Sequence, residues 1–129
     1  MNKALSGIRV LDFTQVLAGP FCTMNLADFG AEVIKIEKPG TGDGSRIFGP
    51  FINGQSGYYT LVNRGKKGVA IDLKKGRDII YEMVRNCDIV VENFKPGVME
   101  KLGYSYEQLK KGNRSEEHTS ELRHRTISY

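Results

Sequence analysis

The chain has 129 residues, 40% of them hydrophobic and 26% charged, enough for one modest core and too few for two ordinary domains. No run approaches the ~20 apolar residues of a membrane span, and Met1 to Ser6 lack the apolar centre of a signal peptide, so a cytoplasmic protein without a membrane partner is expected. The net charge of +4 sits in residues 1–113, because the last sixteen residues balance three arginines with three glutamates; so small an excess argues against nucleic acid and suits a phosphate-bearing small molecule.

Arg9 to Phe13, with apolar Val10, Leu11 and Phe13, predicts a first strand, and Thr14 to Gly19 a loop. A helix follows over Pro20 to Phe29, with Pro20 at its first position, where a missing N–H costs nothing. The spacing puts Cys22, Leu26 and Phe29 on its inner face and Thr23, Asn25 and Asp28 outside. Gly30 stops it, and Glu32 to Glu37 is a second strand, completing a βαβ unit with parallel strands. Residues 39–57 show no apolar periodicity and six glycines, and read as a long irregular loop, of the kind that forms lids or binding segments. Its Arg46 and Phe48, with Tyr58 and Tyr59, offer cationic and aromatic surface to a ligand or a second subunit.

Tyr58 to Asn63 reads as a helical turn and Gly68 to Leu73 as a third strand. A helix over Gly76 to Arg85 carries an apolar stripe of Ile79, Ile80, Met83 and Val84, with Asn86 as a left-handed cap. Ile89, Val90 and Val91 form the pattern of a strand buried on both faces. Polar Glu92 and Asn93, aromatic Phe94 and Lys95-Pro96-Gly97 end it abruptly. Short helices are expected over Val98–Leu102 and Tyr106–Lys111. The order β-α-β-loop-β-α-β-α predicts an α/β fold, a Rossmann-like parallel sheet with helices on both faces. Cys22 and Cys87 read as small buried residues, and no metal-type Cys/His spacing occurs.

After Asn113 the texture changes. Arg114 to Leu122 have no apolar face at either period and resemble a translated sequencing-library adapter, so residues 114–129 are expected to be a non-native, disordered tail. Both histidines, His118 and His124, lie there. Residues 1–113 therefore hold no histidine for general-base chemistry or for a metal.

If the strands are parallel, the loops Thr14–Gly19, Glu37–Gly40, Leu73–Lys75 and Asn93–Gly97 share one rim of the sheet, where open α/β sheets bind ligands. That rim holds Lys38, Lys74, Lys75 and Lys95 and the start of the helix near Pro20, all suited to phosphate. Asn93 can bond an amide, and Phe94 can stack on a flat ring. A dinucleotide-binding oxidoreductase would use Glu37 on a ribose, but the first loop reads Q-V-L-A-G-P-F-C, without G-x-G-x-x-G. A non-catalytic nucleotide-binding or interaction module is a third alternative.

L-S-G-I-R-V-L-D-F-T-Q-V-L-A-G-P-F-C-T-M-N-L-A-D-F-G-A-E-V-I-K-I-E-K-P-G-T-G-D, then N-R-G-K-K-G-V-A-I-D-L, then V-V-E-N-F-K-P-G-V-M-E-K-L-G, closely resemble the opening of the class III CoA-transferases. The resemblance runs from about Leu5 to Asn113. It implies the truncated N-terminal part of that family's large domain. The parent would move CoA from an acyl-CoA donor to a carboxylic acid acceptor as an interlocked homodimer. It places coenzyme A contacts on Val16, Leu17, Ala18, Lys38, Leu73, Lys74, Lys75, Asn93, Phe94 and Lys101, with no metal. The family's nucleophile, an aspartate that passes through an aspartyl-CoA thioester, falls beyond Asn113, so the 129-residue chain is expected to be inactive. Asp12 and Asp72 do not occupy its place and read as structural.

Overall fold

A computed structural model describes residues 2–112 and the backbone of residues 125–127. Its centre is a parallel sheet of β1 (Arg9–Asp12), β2 (Glu32–Glu37), β5 (Lys66–Ala70), β6 (Ile89–Val91) and β7 (Arg125–Ile127), in the order β5-β2-β1-β6-β7. The register pairs Val10 with Val33 and Ile89, and Leu11 with Ile34 and Val90. Because strand side chains alternate, the two faces take different residues. Leu11, Ile36 and Val90 meet Ile80 and Val84 of α3 (Arg77–Arg85), Met99 of α4 (Val98–Leu102), Leu109 of α5 (Tyr106–Gly112), and Tyr104. Val10, Val33 and Val91 pack on the other face with Ala31 and with Leu26 and Ala27 of α1 (Ala18–Asp28). Val10, Leu11, Val90 and Ile80 are all fully buried. The chain is thus an α/β protein with a parallel sheet covered by helices on both sides, as the alternation of strands and helices led us to expect.

Several local expectations need correction. α1 begins at Ala18, so Pro20 is its third residue, still within the first turn, where an N–H has no intrahelical partner. Its buried side chains are Pro20, Thr23 and Met24, whereas Phe29 is 57% exposed and Cys22 half-buried. Thr23 turns inward because its hydroxyl donates to the buried Asp12 carboxylate at 2.6 Å, a partner that periodicity cannot reveal. On α3, Ile80 and Val84 are buried but Ile79 is 58% exposed, and Asn86 has φ −100°, outside the left-handed region. β5 starts two residues earlier than expected. Asp72 ends the run by accepting the N–H groups of Lys74 and Lys75, which folds Leu73 into a turn.

Residues 39–57 are not a structureless loop. They contain a 3-10 turn, Gly44–Ile47, and a small hairpin of β3 (Phe51–Ile52) and β4 (Gln55–Ser56), and lead into α2 (Gly57–Val62). Asn53 and Gly54, with φ of 51° and 76°, form the left-handed pair that a two-residue hairpin requires. Most of the segment read as a disordered tail, residues 114–124 and 128–129, lies outside the described residues. Residues 125–127, however, pair with β6, whose open edge offers unpaired N–H and C=O groups to any extended segment. Among the described residues no helix is long and apolar enough to cross a membrane.

Candidate functional site

Since all the strands run the same way, the loops after β1, β2, β5 and β6 leave one end of the sheet together. Two buried carboxylates organise this end. Asp12, the last residue of β1, accepts from the Thr14 N–H and hydroxyl and from Thr23, and pairs with Lys66 of β5 at 3.1 Å. Lys66 also donates to the carbonyl of Pro20 and to Asn63. Burial lowers its pKa, and Asp12 opposes that. Asp12 thus has a structural role and is not free as a nucleophile.

Glu37, the last residue of β2, is the second. Burial pushes its carboxyl upward, but the Arg46 guanidinium, the Tyr59 hydroxyl and the Asp43 N–H outweigh that and hold it at about 2. Arg46 grips both oxygens, at 2.8 Å each, and lies 3.8 Å over the Tyr59 ring. Burial, and then the Glu37 carboxylate, push the Tyr59 phenol well above its usual value. With these partners Glu37 is not available to a ribose. The oxidoreductase alternative therefore loses the residue it depended on. Arg46 and Tyr59, expected to offer surface, close this carboxylate, although Arg46 remains 46% exposed; Phe48, also exposed, packs edge-on against Tyr58 with ring centroids 5.5 Å apart.

The loop between β1 and α1 is held from two sides. Gln15 N–H donates to Asn93 Oδ1 at 2.8 Å, and Asn93 Nδ2 donates back to the Gln15 carbonyl at 2.9 Å. Val16 N–H donates to Asp43 Oδ1 at 3.1 Å, and the Thr14 carbonyl accepts from Lys35 Nζ at 2.8 Å. Asp43 and Lys35 form an ion pair at 2.8 Å, 0% and 1% exposed. Neither was picked out from the sequence. The available signal was a lysine midway along the apolar strand V-I-K-I, which can be buried only with a partner. Gly19 fits because its α-hydrogen faces Thr14: a Cβ there would lie 2.3 Å from the Thr14 Cβ.

The residues named from the sequence divide into groups. Val16, Leu17 and Ala18 are exposed at the start of α1, whose N-cap residue Leu17 leaves the first turn without a side-chain cap. Asn93 is half-buried at the end of β6 and joined to that loop, although its carboxamide is engaged with Gln15. Phe94 and Leu73 are half-buried and pack against the same apolar cluster, where the Leu73 carbonyl accepts from Tyr104. Lys74 and Lys75 are exposed on the adjoining turn. Lys38 is exposed at the edge of a cleft of about 410 Å³, between the residues that follow β2 and Gly68 to Ala70 of β5. Lys95 and Lys101 are exposed, and Lys101 is tied to the rim only through its backbone N–H, which donates to the Gly97 carbonyl at 3.1 Å, among the bonds of the described residues. The inward charges of this end are paired and its outward lysines face solvent. Such a surface can hold an anion beside an apolar or aromatic slot.

CoA-transferase family III matches residues 5–115. Succinyl-CoA:glutarate CoA-transferase of Mus musculus is 51% identical over 112 residues, 84% of this chain and 26% of that enzyme. Formyl-CoA:oxalate CoA-transferase of Afipia carboxidovorans is 47% identical over 116 residues, 88% of this chain and 27% of that enzyme. Among solved structures, Rv3272 of M. tuberculosis superposes with a TM-score of 0.82 at 37% identity, covering 98% of this chain and 34% of that one. A CAIB/BAIF family protein of Brucella suis gives 0.80 at 38% identity, covering 88% and 32%. The chain spans about a quarter of the length of these curated relatives.

Proposed function

The chain belongs to CoA-transferase family III, and from that premise we propose that the rim at the carboxyl ends of β1, β2, β5 and β6 binds the CoA moiety of an acyl-CoA. In the parent protein that CoA would pass to a carboxylic acid acceptor. The observation that carries this reading is a family match over residues 5–115, which contain the complete rim. Lys38, Lys74, Lys75 and Lys95 supply charge for the phosphates, together with the first turn of α1. Phe94 and Leu73 offer an apolar wall for the pantetheine or the base, and Val16 to Ala18 approach it with backbone and small side chains. Lys101 lies on α4 and would contribute charge at the periphery. Asn93 serves chiefly by fixing Gln15.

Transfer would proceed by attack of an aspartate on the thioester carbonyl, giving a mixed anhydride and CoA thiolate. The thiolate would return to the aspartyl carbonyl, releasing the donor acid and leaving an aspartyl-CoA thioester. The acceptor carboxylate would then run the same two exchanges in reverse, leaving as its CoA thioester and freeing the aspartate. Asp12 is already held by Lys66, Thr14 and Thr23 and does not fill this role. We place the nucleophile beyond residue 113, in a parent that pairs as an interlocked homodimer in the cytoplasm, so the 129-residue chain alone should not turn over. The test is CoA transfer by the parent between succinyl-, formyl- or acetyl-CoA and dicarboxylic acids, alongside calorimetric titration of CoA. Transfer with hydroxylamine-sensitive labelling of an aspartate is expected. CoA binding without any transfer would leave a binding module, and no CoA binding would overturn the reading.

A further inference from the structure

Val16 is β-branched yet has φ +69°, a conformation that such residues avoid because their side chain crowds the backbone. A strained residue persists only where its surroundings over-determine it, and here they do. The Thr14 carbonyl before it bonds Lys35 Nζ, and the Val16 N–H bonds Asp43 Oδ1. Lys35 and Asp43 are themselves joined at 2.8 Å and almost wholly buried. Asp43 has two further bonds, from the Ser45 N–H and hydroxyl, which fix its orientation. Burial raises its pKa, and Lys35 and Ser45 more than compensate, leaving the group charged. One ion pair, formed between β2 and the turn after it, therefore grips both ends of a three-residue stretch that follows β1. At the end of that stretch and just beyond it, Val16 and Leu17 are 38% and 49% exposed, and α1 begins.

We propose that the Lys35–Asp43 pair is a positioning device for CoA binding: it holds Val16 left-handed, so that residues 16–18 face the ligand. This rests on the function proposed above. It differs from a purely stabilising ion pair in one respect. A buried pair can be replaced by apolar residues of similar volume without loss of stability, but an apolar residue cannot accept the Val16 N–H. Neither Lys35 nor Asp43 touches the ligand. Their effect should therefore appear in CoA affinity and in the KM for acyl-CoA, and not in the KM for the acceptor acid.

The experiment compares two double variants of the full-length parent. K35M/D43N keeps an oxygen acceptor for the Val16 N–H, whereas K35M/D43L removes it; otherwise the two share a neutral interior. With melting temperatures matched, K35M/D43L is expected to bind CoA about tenfold more weakly than K35M/D43N, as one lost hydrogen bond and a released loop would give. The Val16 amide should also exchange with solvent at least about ten times faster, in line with its loss of a partner. Equal CoA affinity and equal Val16 protection in the two variants would overturn the proposal. Should neither variant fold, Val16→Gly decides the geometry. Glycine is unstrained at φ +69° but freer in the unfolded chain, so it is compared with Val16→Ala, which loses the same branch and keeps the strain. The glycine variant is expected to melt no lower than the alanine one, and a lower value would overturn the left-handed assignment. Failure of the unmodified protein to bind CoA would instead overturn the function, while Val16 exchange would still report on the clamp.

Discussion

The Asn93 carboxamide meets the main chain of Gln15 with both of its ends, accepting the N–H at 2.8 Å and donating to the carbonyl at 2.9 Å. Asn93→Asp keeps the acceptor and sets an oxygen against the Gln15 carbonyl in place of the donor. We expect a loss of about 2 kcal/mol in urea unfolding, the sum of a broken hydrogen bond and a repulsive contact. CoA affinity should fall with it, whereas Asn93→Gln should fail to restore either, being one methylene too long for the fork. An Asn93→Asp protein with unchanged stability and affinity would show that the fork is unimportant.

Glu37 sets an acid limit to stability. Its folded value of about 2 lies below its ordinary 4.5, so its contribution is complete above the ordinary value and is lost as pH falls through the folded one. Unfolding free energy should therefore decline between about pH 5 and pH 2. The Glu37 share is on the order of 2 kcal/mol, reduced by solvent at the half-exposed Arg46. Glu37→Gln should be less stable at neutral pH and show a shallower acid slope, measured by denaturant titration at several pH values.

Gly19 has no room for a side chain. A Cβ would lie 2.3 Å from Thr14 Cβ and 3.0 Å from Asn93 Cγ, and Thr14 is fully buried. Gly19→Ala is expected to cost about 3 kcal/mol, at the upper end for overpacking, or to push α1 away from the rim. Thermal unfolding measures the first effect and CoA titration the second. A neutral outcome in both would mean that the loop is more pliant than its contacts indicate.

Lys74 and Lys75 tie only their backbones to the fold, through Asp72. K74Q/K75Q should leave the melting temperature unchanged and weaken CoA roughly threefold to tenfold at low ionic strength. The difference should shrink in ~0.5 M salt, where exposed charges are screened. A salt-independent loss would point to a structural effect instead.

The strands were legible wherever branched apolar residues ran together, as in Val33-Ile34 and Ile89-Val90-Val91, because burial on both faces leaves no other pattern. What stayed hidden depends on polar partners distant in sequence. Thr23 looked outward until Asp12 was beneath it, and Lys35 did not stand out, because its partner Asp43 comes from the turn after β2. The hairpin at Asn53-Gly54 was readable, since Asn-Gly is a strong turn signal, but the surrounding glycines obscured it. At the candidate site, the rim was visible from the strand ends, and so was Asn93 as a polar residue closing β6. Its partner was not, because nothing local says that a carboxamide will take a backbone in preference to a ligand.

Apart from the Asp12 carboxylate on Thr14, the bonds that shape residues 14–16 from outside come from later parts of the chain: Lys35 and Asp43 at separations of 21 and 27, Asn93 at 78. The stretch T-Q-V is therefore not a portable motif. Copied into a peptide or grafted on another scaffold, it should relax to an extended Val16, visible as a change in its backbone coupling constants by NMR. Engineers wishing to move this loop must move the two strands and the turn that write its conformation.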